Sequence, residues 1–114
     1  MRWIAGVLLG LGVVTGCRVE PKPTPLGELN QQQARGRTVF QTHCAACHND
    51  RKNEPLHGPA LVGLYKKPVL PSGAAATDER VTATIEHGHG LMPAMGNTME
   101  RQELDDLLAY LHTL

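Results

Sequence analysis

The residues best suited to chemistry are Cys44, Cys47 and His48, which stand in the run Cys44-Ala45-Ala46-Cys47-His48. In a helical segment, side chains three and four positions apart share a face, so both thiols and the imidazole point the same way. Thiols at that spacing can bond the two vinyl groups of a porphyrin while the adjacent imidazole meets its iron, which makes the stretch an attachment site for a c-type haem. Other chemistries suit these residues less well. Zinc wants four nitrogen or sulfur ligands, and no second cysteine pair exists to complete such a set. A thioredoxin-like pair wants a preceding strand in a βαβ unit, whereas the flanking sequence reads as helix. A purely structural disulfide between cysteines three apart in a helix would be torsionally poor.

The amino terminus says where such a site would be assembled. Met1-Arg2 is a short positive region, and Trp3 to Val14 is an apolar run too short to cross a bilayer, which needs roughly 20 residues. Residues 1–16 are expected to form a secretory signal peptide. Its end, Val14-Thr15-Gly16-Cys17, resembles the lipobox of bacterial lipoproteins, which implies that Cys17 is lipidated and becomes the first mature residue. The expected product is an exported lipoprotein on the periplasmic or extracytoplasmic face of a membrane, the side on which bacteria attach haem covalently. Residues 17–31 carry Pro21, Pro23 and Pro25 among polar neighbours. They are expected to be an extended tether with no core of its own, reaching up to about 45 Å.

The remaining residues, 32–114, leave room for one domain. Across the 114 residues, 11 basic side chains balance 11 acidic ones, so no overall charge argues for nucleic acid. Aromatic content is only 4%, and the one Trp lies in the leader. So small a domain is marginal on its own burial, and a bonded porphyrin would supply the missing core.

Three helices should position the site. From about residue 31 to 46, Ala34, Val39 and Phe40 make a narrow apolar stripe, and Gly36 within it invites close approach by another helix. Residues 49–60 read as loop ending in Gly58-Pro59, followed by a short apolar turn at Leu61, Val62, Leu64 and Tyr65. Thr77-Asp78 should open a second helix with Val81 and Ile85 inward and Gly88 as its stop. Residues 87–93 hold two glycines and a proline and so form a loop, which carries Met92. From about Met99 to Leu114, Leu104, Leu107, Leu108, Leu111 and Leu114 recur at helical spacing, with Asp and Glu on the other face and Asn97 or Thr98 as cap.

Taken together, residues 36–111 resemble the class I c-type cytochromes, small single-haem proteins. The resemblance rests on Gly36 and Phe40, the Cys44 to His48 motif, Gly58-Pro59 with Leu61, Met92-Pro93, and Ala109-Tyr110-Leu111. It implies an all-α fold packed around one haem c per chain, bonded through Cys44 and Cys47, with His48 and Met92 as iron ligands. The Pro59 carbonyl would accept the free N–H of His48, and Gly36, Phe40 and Tyr110 would form the crossing of the first and last helices. Tyr65 and Lys67 lie where this family often places partners for the haem propionates, although Lys66 stands where a Gly is frequent and Lys67 where an Arg is.

A His and a thioether leave no open position on the iron, which favours one-electron exchange over catalysis. The implied activity is that of an electron carrier and not an enzyme; no nucleophile–base pair or phosphate loop argues otherwise. Its expected partners are redox proteins that dock at an exposed haem edge, with Arg51, Lys52, Lys66 and Lys67 as candidate charges, and a membrane through the lipid on Cys17. A monomer is expected, with no nucleic-acid partner. Two other readings remain: an electron-entry subunit of a respiratory oxidase or dehydrogenase, and a haem gas sensor or peroxidase with a labile sixth ligand. His43, His57, His87, His89 and His112 read as surface or loop residues; His87 and His89 share the Met92 loop and could ligate a metal.

Overall fold

The computed structural model describes residues 12–17 and 19–114. The expected leader falls largely outside them. Among the described residues no helix is long and apolar enough to cross a membrane.

Three α-helices make the frame: α1 (Gln31–His43), α2 (Asp78–His87) and α3 (Arg101–Leu111). A reciprocal pair of bonds starts α1: Asn30 Oδ1 accepts from the Gln33 amide at 2.8 Å, and Gln33 Oε1 accepts from the Asn30 amide at 2.9 Å. Regular helix stops at His43, earlier than the expected residue 46. The amides of Cys44 and Ala45 both turn onto the Phe40 carbonyl, at 2.8 and 3.0 Å, and residues 44–47 continue as a tight turn. Thr77 caps α2 by accepting from the Arg80 amide, and Gly88 ends it with a φ of 78°, as the residue types led one to expect. For α3 the expected cap is displaced. Thr98 instead donates its hydroxyl to the Met95 carbonyl at 2.8 Å, and the helix begins after Glu100, whose amide is held by Glu103 Oε2 at 2.8 Å.

Helices α1 and α3 cross where Gly36 lies. A Cβ on Gly36 would fall 1.8 Å from the Asp106 carbonyl oxygen and 2.8 Å from Tyr110 Cβ, so the two backbones nearly touch. One turn on, the rings of Phe40 and Tyr110 sit 5.9 Å apart, inclined at 57°. Leu104, Leu107, Leu111 and Leu114 complete the α3 side of the core; Val81 and Ile85 enter from α2, and Leu64 from a 3₁₀ turn at Leu64–Lys66.

Asp106 departs from the pattern. Placed by periodicity on the polar face of α3, it is 3% exposed, and its oxygens accept from Arg35 Nε at 2.8 Å and Gln102 Nε2 at 2.9 Å. The helices approach so closely at Gly36 that the polar flank of α3 is covered by α1, and Arg35 supplies the required partner.

The stretch expected to be a free tether is also different. Pro21 packs onto Gly63, the Thr24 amide donates to the Thr113 carbonyl at 2.7 Å, and Arg51 donates to the Thr24 carbonyl at 2.7 Å. Asn53 donates to Glu20 at 2.8 Å, Leu26–Glu28 form a 3₁₀ turn, and Leu29 packs against the core. Residues 20–29 are thus a strap on the domain. Three prolines make this segment stiff, so docking it forfeits little conformational freedom.

Candidate haem site

His48 follows the turn that ends α1, and its amide donates to the Cys44 carbonyl at 2.9 Å. The loop after it folds back through two backbone bonds, Gly58 amide to Cys47 carbonyl at 2.8 Å and Leu61 amide to Asn49 carbonyl at 2.7 Å. That return brings the Pro59 carbonyl 2.7 Å from His48 Nδ1. With Nδ1–H donated there, Nε2 keeps its lone pair for a metal, and the bond both orients the ring and raises its basicity. Gly58 is required beside it: a Cβ there would lie 2.5 Å from His48 Cε1.

Both thiols of the motif are free. Burial, followed by the nearby Cys47, pushes the Cys44 thiol up to about 11, so it stays protonated near neutrality. An activated redox pair would need the opposite shift. Among the described residues no group of three or more His, Cys, Asp or Glu gathers as a metal site, which leaves the zinc reading without its ligand set.

Met92 lies in a tight turn after α2. The amides and carbonyls of His89 and Met92 exchange bonds of 3.1 and 2.9 Å across Gly90, whose φ is 56°. The turn packs onto Gly88, where a Cβ would sit 2.5 Å from the Met92 carbonyl oxygen, and is tied to α2 by the Met95 amide on the Ile85 carbonyl at 2.8 Å. Met92 and Met95 are half-buried against the core, whereas His87 and His89 are exposed. Leu91, next to Met92, is 99% exposed.

The structure gives Tyr65 a different contact from the one implied by resemblance. Its hydroxyl donates to Asp78 Oδ1 at 2.7 Å, and its ring stacks on His112 at 3.7 Å and 16°. His112 Nε2 meets the same Asp78 oxygen at 2.7 Å. Burial, reinforced by Asp78, pushes the Tyr65 phenol well above its ordinary range, and the Tyr65 hydrogen bond holds Asp78 below its own. Lys67 points back along the chain, with Nζ 3.5 Å from the Ala60 carbonyl, next to Pro59. Tyr110 donates to Asp50 Oδ2, two residues past His48, and so links α3 to the haem motif. Asp50 and Asp78 had not been singled out as partners. A tyrosine inside an apolar core demands an acceptor, but nothing in the sequence says which of the acids meets it.

These residues fit a covalently held haem: two free thiols on one turn, an imidazole whose other nitrogen is already engaged, a glycine where a side chain would strike that ring, and a thioether on a braced loop. The fold is that of a class I c-type cytochrome. A family model described as cytochrome c oxidase, cbb3-type, subunit III matches residues 31–111, and the chain belongs to this family. Cytochrome c6 of Pyropia tenera is 31% identical over 75 residues, covering 66% of this chain and 84% of that protein. Cytochrome c6 of Tetradesmus obliquus is 30% identical over 79 residues, 69% of this chain and 86% of the relative. The structure of cytochrome c6 from the diatom Phaeodactylum tricornutum superposes with a TM-score of 0.55 at 25% identity, covering 69% of this chain and 88% of that one. The class to which they and this chain belong holds a c-type haem with its iron and carries electrons without converting a substrate.

Proposed function

We propose that this protein is a one-electron carrier whose single haem c is bonded through Cys44 and Cys47, ligated by His48 and Met92, and tethered to a membrane by a lipid on Cys17. The observation that carries the reading is the 2.7 Å bond from His48 Nδ1 to the Pro59 carbonyl, because it commits the ring to presenting Nε2 to iron. The haem supplies one-electron exchange at its iron; a soft thioether and a low-dielectric surround favour the reduced state. The chain's own residues do the rest. Cys44 and Cys47 bind, Pro59 and Gly58 orient His48, and Gly88 and Ile85 brace the loop that offers Met92. Leu91, exposed beside Met92, gives a redox partner an apolar contact suited to brief docking. Lys67, next to Ala60, is the better placed of the two residues read as propionate partners, since the Tyr65 hydroxyl is engaged by Asp78.

Expression in a host with haem-attachment machinery tests the core of this proposal. One haem per chain should survive acid–acetone extraction; extractable haem would overturn the covalent reading. Mass spectrometry of the mature amino terminus tests the lipid on Cys17, and Cys17→Ser should release a soluble exported haem protein. An unmodified chain that begins at another residue would refute the lipobox. A second reading, an electron-entry subunit of a larger oxidase, is favoured by the description of the matching family. Co-purification of a haem–copper partner in mild detergent would select it.

A further inference from the structure

Arg51 stands three positions past His48, so the chain alone keeps their α-carbons within about 11 Å of each other. Three parts of the fold converge on its side chain. The strap supplies the Thr24 carbonyl, which accepts from Arg51 Nη2 at 2.7 Å, and the Thr24 amide donates in turn to the Thr113 carbonyl at 2.7 Å, just past α3. The loop after the haem motif supplies Asp50, whose Oδ2 accepts from the Tyr110 hydroxyl. Helix α3 supplies Tyr110: burial and then Asp50 push its phenol up to about 12 against an opposing pull from Arg51, which places the guanidinium near the same hydroxyl.

No ion pair neutralises this cation. Among the described residues the pairs are Arg35 with Asp106 and His112 with Asp78. Asp50 is engaged by Tyr110, and the strap's Glu20 by Asn53. Arg51 Nη1 is buried and has no hydrogen-bond partner among the described residues. A charge removed from water is screened far less than an exposed one. Reduction adds one electron and lowers the charge at the iron by one, so a poorly screened cation held on the loop that follows the ligand favours the ferrous form.

We infer that Arg51 sets the reduction potential: its guanidinium, covered by the docked strap, raises the potential of the haem. The inference rests on the haem reading above and gives the strap a task besides attachment, since its release would admit water to Arg51 and lower the potential. At the effective dielectric of a protein a unit charge some 10 Å away changes the ferrous-to-ferric ratio roughly tenfold, which is about 60 mV for a one-electron couple.

The test is a redox titration of the full haem-loaded protein in about 1 M salt, where exposed charges are screened beyond about 3 Å. R51Q should lower the potential by about 60 mV. D50N, which removes the opposing charge from the same loop, should raise it. A merely structural loosening would admit water to the haem and lower both, so opposite signs distinguish a field from a disturbed fold. R80Q, which removes an exposed cation from α2, should change nothing. P21G/P23G/P25G loosens the strap without touching Arg51; it should lower the potential of the wild type and leave that of R51Q unaltered. Hydrogen exchange at the Thr24 amide, which does not depend on the iron, should quicken in R51Q. An unchanged potential or unchanged Thr24 exchange in R51Q, a fall in both R51Q and D50N, or equal falls from the glycine variant in the two backgrounds would overturn the inference. Where R51Q does not load haem, a D50N potential at or below wild type overturns it. Acid–acetone extraction comes first: haem released there refutes the haem reading, whereas these potentials are read only on protein that retains it.

Discussion

Gly36→Ala sets two effects of opposite sign against each other at the crossing that carries the haem motif. In an isolated helix the change would stabilise by about 1 kcal/mol, since Ala is the better helix former. Here the new Cβ would lie 1.8 Å from the Asp106 carbonyl oxygen, while ordinary contact begins near 3.4 Å, and the obstacle is backbone that cannot rotate away. The helices must part locally by more than an ångström. A gap of even 0.5–1 Å forfeits roughly a quarter to a half of the dispersion attraction across it. The contacts at risk are those of Phe40, Leu107 and Tyr110, among the most deeply buried side chains in the protein. Overpacking of this kind costs about 1–3 kcal/mol, and backbone against backbone belongs at the upper end. After the helix-propensity gain a net loss of about 2 kcal/mol remains, which for a domain of this size lowers Tm by about 8–16 °C. Thermal melting of the oxidised haem protein, followed at 222 nm and in the Soret band, measures it. Gly27→Ala is the control, because a Cβ there meets nothing within 4 Å. A Tm for Gly36→Ala equal to or above wild type would refute the close-approach argument.

Gly58→Ala should push the His48 ring off the Pro59 carbonyl and thereby raise the reduction potential by weakening the ligand; an unchanged potential in protein film voltammetry would show that the ring does not depend on this glycine. Met92→Ala should abolish the weak long-wavelength sulfur-to-iron band of the oxidised protein and open the reduced protein to carbon monoxide, with Met95→Leu changing neither; the reverse pattern would transfer the ligand to Met95. Acid unfolding reports the buried carboxylate of α3. The Arg35 guanidinium holds Asp106 below the ordinary carboxylate value, so the folded state binds fewer protons than the unfolded one at acid pH. That stability is present above the unfolded pKa and is lost as pH falls through it toward the depressed folded value. Arg35→Gln should therefore reduce stability near neutrality and flatten the acid limb of a urea midpoint-versus-pH curve; an unaltered slope would mean that the pair contributes nothing.

How much of this could be read in advance depended on how far apart the interacting residues stand. The haem turn lies in a short motif whose chemistry is local, and the leucine spacing of α3 reports its buried face directly, whereas the Pro59 acceptor came from the family resemblance and not from the spacing of the residues themselves. Gly36 was legible for a related reason: a glycine inside a helical stripe is unfavourable unless a second backbone passes there. The partners of the carboxylates were not legible. Asp106 meets a residue 71 positions away and Asp50 one 60 positions away, and periodicity carries no information about such pairings. Asp106 shows the failure plainly, since its place in the repeat was right while the width of the covered face was underestimated. The strap failed differently. Proline among polar residues correctly marks stiff, extended backbone, yet stiffness does not imply freedom. A segment already held near polyproline geometry has little entropy to lose on docking, and so the packing of Pro21 and the few bonds at Thr24 and Asn53 suffice to hold it where a glycine-rich linker of equal length would stay loose.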